Sequence, residues 1–445
     1  MKLAVWSPLP PSPSGIADHV AESLPFLATR CDLVAVVEDP AAVDPDLARR
    51  VRLLSPVEVP PVDFDLYHLG NSPFHGYVYR AASTRPGVAV LHEWSLHDLV
   101  LHVTAGHGDV AAYVREMRHG HGPAGTFVAR QVVRGLGGDL PAPFALNDRV
   151  LDSSLAVVGT TRFIVEQAAR RLPVLPSRHI PLHAPRLSEP LPDRAVARRA
   201  LGLPEDVLVV TAPGLATRAK RLEEAIRAAA RLRTEYPSLR LVVVGPVDES
   251  LPLGAWGAEA GLGSALLITG RVGMEDFVRH LVAADLVLAL RHPSRGEMSA
   301  VLLRALAVGR PTLVTAGTPA AREFPEGIVV PIDPGRHEEA ELAATIDALV
   351  RRPALCRALG RVARTFVREE HDPETLAVRL LEFLEELAPQ REPLRGRVTA
   401  GRAHDGTLLG DLLAEVREAG RELRLGGVIP GCEEPLATLV GGRRR

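Results

Sequence analysis

A chain of 445 residues exceeds what one hydrophobic core usually supports, and its 46% hydrophobic and 24% charged residues supply apolar material for two domains of about 150–200 residues. The net charge is -2, and the basic residues are dispersed except for Arg443, Arg444 and Arg445, which excludes a surface built to grip nucleic acid. Cys31, Cys356 and Cys432 are odd in number and far apart, without metal-ligand spacing, so neither a disulfide framework nor a thiolate metal site fits. Reduced thiols and the lack of an apolar run of about 18 residues point to a soluble, cytoplasmic chain.

In chain order, short apolar runs alternate with helical patterns. The first half predicts strands over 2–8, 31–38, 64–70, 87–93 and 154–160, with about 60 largely helical residues between the last two. The second half predicts strands over 206–214, 239–246, 265–271, 285–291, 310–317 and 327–332. Such alternation is the signature of parallel sheets covered by crossover helices, and it occurs in two sets separated by the Pro-rich stretch 181–195. The expected architecture is therefore α/β, with two doubly wound parallel-sheet domains facing across a cleft, one over 1–185 and one over 186–372. A helix over 373–389 closes the second domain or crosses back over the first, and 390–445 is an extension that starts as a Pro/Arg-rich linker and contains one helical pattern at 407–423.

Open α/β sheets bind ligands at the carboxyl ends of their strands, so candidate chemistry is sought there. After the strand ending at Gly214, Arg218, Lys220 and Arg221 precede a helix, and cations at a helix start suit a diphosphate; a solvated basic turn is the other reading. After the strand ending at Arg291 comes RHPSRGEMSA, where Glu297 either accepts hydrogen bonds from sugar hydroxyls or offsets a helix dipole, and Ser299 offers a hydroxyl and an amide to a phosphate. In the first half, Gly15 follows the first strand and leaves its backbone open to a ligand, or marks a plain turn. His92 and Glu93 end another strand, with His97 and His102 behind them at intervals that do not match the helical two-histidine zinc motif. Tyr67, His68, Asn71 and His75 form a polar group after a third strand, some of which serve only to satisfy backbone groups. The first strand runs into PLPPSPSG and not into G-x-G-x-x-G, which disfavours a dinucleotide-binding dehydrogenase.

The succession of a glycine loop after the first strand, a mid-domain histidine at a strand end, APGLATRAKRLEEAI, LRLVVVGP, LLITGRVGMEDFVRHLVAADLVLAL and RHPSRGEMSAVLLRALAVGRPTLVT resembles the retaining nucleotide-sugar-dependent glycosyltransferases of group 1 (family 4-like). The resemblance covers about residues 1–388 and is strongest over 206–332. It implies the GT-B architecture, two Rossmann-like domains with the acceptor side first and the donor side second. It also implies transfer of a sugar from a nucleoside diphosphate to a hydroxyl of a glycan or lipid-linked sugar, with retention at the anomeric carbon, no cofactor and no required metal, in polysaccharide biosynthesis.

Carried over by residue, Lys220 corresponds to the lysine that neutralises the donor diphosphate, with Arg218 and Arg221 as helpers, and Gly15 to the glycine loop that approaches the phosphates. His92 corresponds to the histidine at the sugar's reacting face and Glu297 to the first acid of an E-x7-E element, which with Met298 and Arg304 falls in the sugar and nucleoside region. Tyr67, His68, Asn71 and Glu93 are left for the acceptor side. The chain departs from the pattern where the second acid belongs: eight residues past Glu297 is Ala305, and the neighbouring Arg304 accepts no hydrogen bond. Glu297 and Arg304 are seven apart, the spacing of two helical turns, which would put them on one face. The missing acid keeps a second reading open, a catalytically weak or non-catalytic sugar-nucleotide binder; a third is an epimerase or phosphorylase on the same plan. A lipid-linked acceptor allows peripheral membrane contact, though no basic amphipathic helix demands it. The donor base, the sugar and the oligomeric state are not legible.

Overall fold

A computed structural model describes residues 1–138 and 143–403. The pattern at 407–423, Cys432 and the terminal arginines lie outside the described residues. The chain divides into two compact units, the first comprising Met1–Pro181, Arg295–Glu297 and the residues from Leu376 on, the second Leu182–Ser294 and Met298–Thr375.

The first unit holds seven strands: β1 Lys2–Trp6, β2 Asp32–Val36, β3 Arg52–Leu54, β4 Phe64–Leu69, β5 Val88–Leu91, β6 Ala156–Gly159 and β7 Ser177–His179. They pair in the order β3-β2-β1-β4-β5-β6-β7, all parallel. The apolar runs form strands with both faces covered, as parallel sheets require. Leu3 and Val5 of β1 enter one core, with Val20 and Leu24, while Ala4 and Trp6 enter the other, with Leu69 and Met117. β3 and β7 are three-residue edge strands that the sequence pattern does not reveal, because their half-exposed residues make no apolar run. The helical stretch before β6 contains helices His97–Val103, Val110–Val133 and Asp148–Ser153.

The second unit holds β8 Val209–Pro213, β9 Arg240–Val244, β10 Leu266–Ile268, β11 Leu286–Ala289, β12 Thr312–Thr315 and β13 Val330–Ile332, parallel in the order β10-β9-β8-β11-β12-β13. Here Leu241 and Val243 face one core and Val242 and Val244 the other. In each sheet the strand order reverses beside the first strand, between β1 and β4 and between β8 and β11, and the carboxyl ends at such a reversal are where α/β sheets hold ligands.

The helix Pro373–Leu387 packs into the first unit, where Leu376, Leu380, Phe383, Leu384 and Leu387 share a core with Leu3, Val5 and Leu66. The linker expected from 390 is instead a helix, Arg391–Ala403, whose Leu394 and Val398 join the same core at i,i+4 spacing. Pro393 falls in its first turn, where the missing N–H has no helical partner to lose. Among the described residues no helix is long and apolar enough to cross a membrane.

Candidate active site

The second unit places its cations where β8 and β11 end. After Pro213 the chain turns at Gly214, with φ +90°, and rises into a short 3-10 turn, Arg218–Lys220. That turn brings Lys220 back so that its ammonium donates to the carbonyl oxygen of Pro213. A Cβ on Gly214 would lie 2.7 Å from Lys220 Nζ, and the positive φ disfavours other residues independently. The loop after β11 is tied to this turn by His292 N–H donating to Ala219 O at 2.7 Å, and Arg291 N–H donates to Thr315 Oγ1 at 2.9 Å. Burial, and next the Arg291 charge, push the Lys220 ammonium down to about 7. It is a half-buried cation with a carbonyl neighbour and, among the described residues, no carboxylate paired with it, so an incoming anion would stabilise its charge. Arg218 is exposed beside it.

Arg221 has a different job. It sits in the left-handed region at φ 56° and its guanidinium binds Glu338 at 2.6 and 2.9 Å and Glu224 at 2.7 Å. Glu338 is buried, so this cation neutralises a carboxylate inside the unit, a partner the local sequence did not suggest. Met298 is buried in an apolar cluster with Leu182, Leu302 and Leu303. The helix that follows runs Ala300–Val308, with Ser299 as its N-cap and Ser299 Oγ accepting from Leu302 N–H at 3.3 Å. That leaves the Ser299 hydroxyl proton to donate elsewhere. Arg304 is buried in this helix, but Glu297 precedes the cap, so the shared helical face expected of the pair does not exist.

In the first unit, the ends of β4 and β5 carry a histidine group. His68 Nδ1 lies 3.0 Å from His92 Nε2, with the rings 5.2 Å apart, and the ring of His19 meets that of His92 edge-on at 5.6 Å. His75 Nδ1 donates to His68 O at 2.9 Å. Burial, and next the charge of His75, push the His68 imidazole down to about 3, so it is neutral and can accept or donate one hydrogen bond to His92. His19 comes from the helix Gly15–Ala28, one turn past Gly15. The i,i+4 spacing of Gly15 and His19 was the available signal for it. Nothing lies within 4 Å of where a Gly15 Cβ would sit, so the protein's own packing does not demand glycine there. Gly70, also unflagged by the sequence, lets this helix approach the end of β4, since its Cβ would lie 2.2 Å from Ile16 Cδ1.

Asn71 and Tyr67 are both engaged with the protein's own groups. The Asn71 amide is used at both ends, Nδ2 donating to Asp98 Oδ2 at 3.0 Å and Oδ1 accepting from Leu99 N–H at 2.9 Å. Its backbone N–H donates to Glu93 Oε1 at 2.5 Å. Tyr67 is buried against Trp6, and its hydroxyl donates to Arg85 O at 3.0 Å, before the amino end of β5. His97, whose spacing does not suit the helical zinc motif, holds Phe144 O at 2.7 Å and the Tyr113 hydroxyl at 2.8 Å.

Arg295–Glu297 also belong to the first unit. Arg295 O accepts from Trp94 N–H and Gly296 O from the Thr161 hydroxyl, each at 2.8 Å, and the Arg295 guanidinium pairs with Asp98. Gly296 has φ +90°, and a Cβ there would lie 2.8 Å from the Phe163 ring. Glu297 is buried, with Oε2 accepting from Arg295 N–H at 2.5 Å. Among the described residues no three His, Cys, Asp or Glu side chains form a group able to hold a metal ion.

Residues 193–366 match the family described as Glycosyl transferases group 1. A curated relative, the D-inositol 3-phosphate glycosyltransferase of Nocardioides sp., is 29% identical over 266 residues, which are 54% of this chain and 57% of that protein. The chain spans little more than half the length of that relative and 37% of another from Stackebrandtia nassauensis. Among solved structures, sucrose-phosphate synthase from Thermosynechococcus elongatus superposes with a TM-score of 0.61 at 17% identity, covering 87% of this chain and 99% of that one. HepE from Anabaena, solved in complex with UDP-glucose, gives 0.59 at 16% identity, covering 87% and 100%. The structural likenesses show the GT-B fold.

Proposed function

Because residues 193–366 belong to the group 1 glycosyltransferase family on a GT-B fold, we propose that this chain transfers a sugar from a nucleoside diphosphate donor to a hydroxyl acceptor, with retention at the anomeric carbon. The observation that carries the reading is Lys220: a half-buried ammonium at the carboxyl end of β8, beside the strand-order reversal, with Arg291 as the neighbouring charge and no carboxylate satisfying it. In the reaction the bond from the anomeric carbon to the diphosphate oxygen breaks with its electrons on the diphosphate, the acceptor oxygen bonds that carbon on the same face, and the acceptor's proton passes to the departing diphosphate oxygen. Negative charge grows on the leaving group, so Lys220, with Arg218 exposed nearby, lowers the barrier by meeting it.

The remaining roles rest on the family resemblance together with local geometry. His92, held by His68, is assigned to the sugar's reacting face, and Glu297 to sugar hydroxyls. The open space at Gly15 favours approach of a ligand to the start of its helix. The departing charge is met by these side chains, and the reaction is proposed to need no metal. The acceptor is a polyol or sugar hydroxyl, and D-inositol 3-phosphate, named in the relatives, is the first to assay beside glycan and lipid-linked sugars.

The test is turnover of a panel of nucleoside diphosphate sugars with and without a chelator, with the product's anomeric configuration read by NMR. Chelator-resistant turnover that retains configuration and disappears in Lys220→Ala supports the reading. Turnover undiminished in that variant, or an inverted product, overturns the assigned mechanism. Saturable UDP binding without turnover of any donor would favour the non-catalytic binder left open by Ala305 in place of a second acid.

A further inference from the structure

A cavity of about 790 Å³ opens in the second unit at the opposite ends of its strands, beside Leu208 before β8, Leu286 at the start of β11 and Pro311 before β12. Lys220 follows the carboxyl end of β8, so the five residues of that strand, at about 3.3 Å each, separate the cavity from the cations assigned to the donor. Six arginines line the cavity: Arg194, Arg198, Arg310, Arg357, Arg361 and Arg364. Only three carboxylates line it with them, Glu205, Asp206 and Asp285.

Those carboxylates are largely committed. Asp285 accepts from Arg194, from Arg198 at 2.7 Å and from Val209 N–H at 2.8 Å. Glu205 binds Arg199, which does not line the cavity, and Arg364 pairs with Glu189. Arg310, Arg357 and Arg361 form no ion pair with any described residue. Arg310 donates one N–H to Val282 O at 2.6 Å, but its buried Nε–H has no hydrogen-bond partner. Burial, and next the Arg194 charge, push the Arg310 guanidinium down to about 10. A buried guanidinium kept among like charges with a donor unused is costly unless an anion joins it. Arg357 and Arg361 lie four residues apart on the helix Pro353–Glu370, so their charges repel along one face unless something negative lies over them.

We propose that this cavity is a binding site for a small phosphomonoester, separate from the donor cations of the same unit. Three guanidiniums with no carboxylate in ion-pair contact, Arg310 having only Asp285 and Asp193 at longer range, suit a ligand of more than one negative charge, and their planar forks match the oxygens of a phosphate dianion. The volume falls in the range of about 300–1,000 Å³ usual for small-molecule sites, far more than a bare phosphate needs. Leu208, Val308 and Val350 give the rest of the ligand an apolar wall.

The experiment titrates the full chain with glucose 6-phosphate, with inorganic phosphate, and with chloride at matched ionic strength, reading heat of binding and melting temperature. Arg357→Ala/Arg361→Ala removes two exposed cavity charges without opening the core, and Lys220→Ala serves as the comparison. Saturable binding of glucose 6-phosphate is expected, weakened at least tenfold in the double variant, kept in Lys220→Ala and not displaced by UDP. A cavity arginine also tested singly, Arg310→Met, guards against a fold effect if its melting temperature holds. Absence of saturable binding, equal affinity for inorganic phosphate, unchanged affinity in the double variant, or displacement by UDP would each overturn the proposal.

Discussion

The ammonium of Lys220 donates to the carbonyl oxygen of Pro213, so the cation is anchored to the last residue of the strand it follows. Gly214 makes this geometry available, since any Cβ there would intrude on Nζ at 2.7 Å. The lysine has given up water for one carbonyl, and its charged form is the poorer for it.

Burial lowers the Lys220 ammonium to about 7, which gives a signed prediction. Its native pKa of about 7 lies below the ordinary 10.5, so between those values the unfolded chain binds more protons, and this group's contribution to stability rises with pH. Below about 7 the buried charge is simply a cost. Lys220→Met is expected to melt no lower than the parent at acidic pH while losing the stabilisation by UDP. In the parent, UDP binding above neutral pH should take up close to one proton, read as a dependence of binding heat on buffer ionisation enthalpy. A heat independent of buffer would show that the ammonium does not meet the diphosphate.

Arg221 and Arg218 should separate cleanly. Arg221→Ala strands the buried Glu338 carboxylate and is expected to cost about 2–3 kcal/mol in denaturant unfolding. Arg218→Ala should leave stability unchanged and weaken UDP binding, because its exposed side chain has no structural partner to abandon. The reverse pattern would exchange the roles given to the two residues.

His68 is a positioning residue for His92. His68→Leu removes the 3.0 Å contact and is expected to lower kcat on the order of tenfold, with donor KM little changed. His68→Gln, which keeps a hydrogen-bonding group, should restore part of the loss, whereas a merely structural role would show as equal loss of melting temperature in both variants.

The helix Pro373–Leu387 can be tested through Leu384, which is fully buried in the first unit's core. Leu384→Ala is expected to cost about 2–5 kcal/mol. The measurement is resolved by unit if hydrogen exchange is followed: faster exchange in β1 and β4, with β8 and β11 unaffected, is the expected result.

The sheets were legible because strands buried on both faces are written as uninterrupted apolar runs, and eleven of the strands fall within them. The same property hid the role of Tyr67. All six residues of β4 are buried, so no alternation tells which side chain leaves the sheet at its carboxyl end and which packs inside. Arg218, Lys220 and Arg221 were marked together because cations follow a strand end, and only the family resemblance singled out Lys220; the local sequence does not say which of the three turns inward. That is decided by the left-handed conformation of Arg221 and by Glu338, which is distant in sequence. Glu297 and Arg304 were misjudged as helical neighbours because Ser299, the residue that starts the helix, falls between them.

The first unit draws its core from both early and late parts of the chain, and this sets an order on synthesis. When Thr375 leaves the ribosome, every residue assigned to the second unit has been made. The first sheet was translated earlier, yet it still lacks Leu380, Leu384 and Val398, which cover one of its faces. The usual sequence of N-terminal domain first is thus inverted. An expressed fragment ending at Pro181 would expose that uncovered face and should aggregate, so trimming this protein to its first half removes part of the half it means to keep.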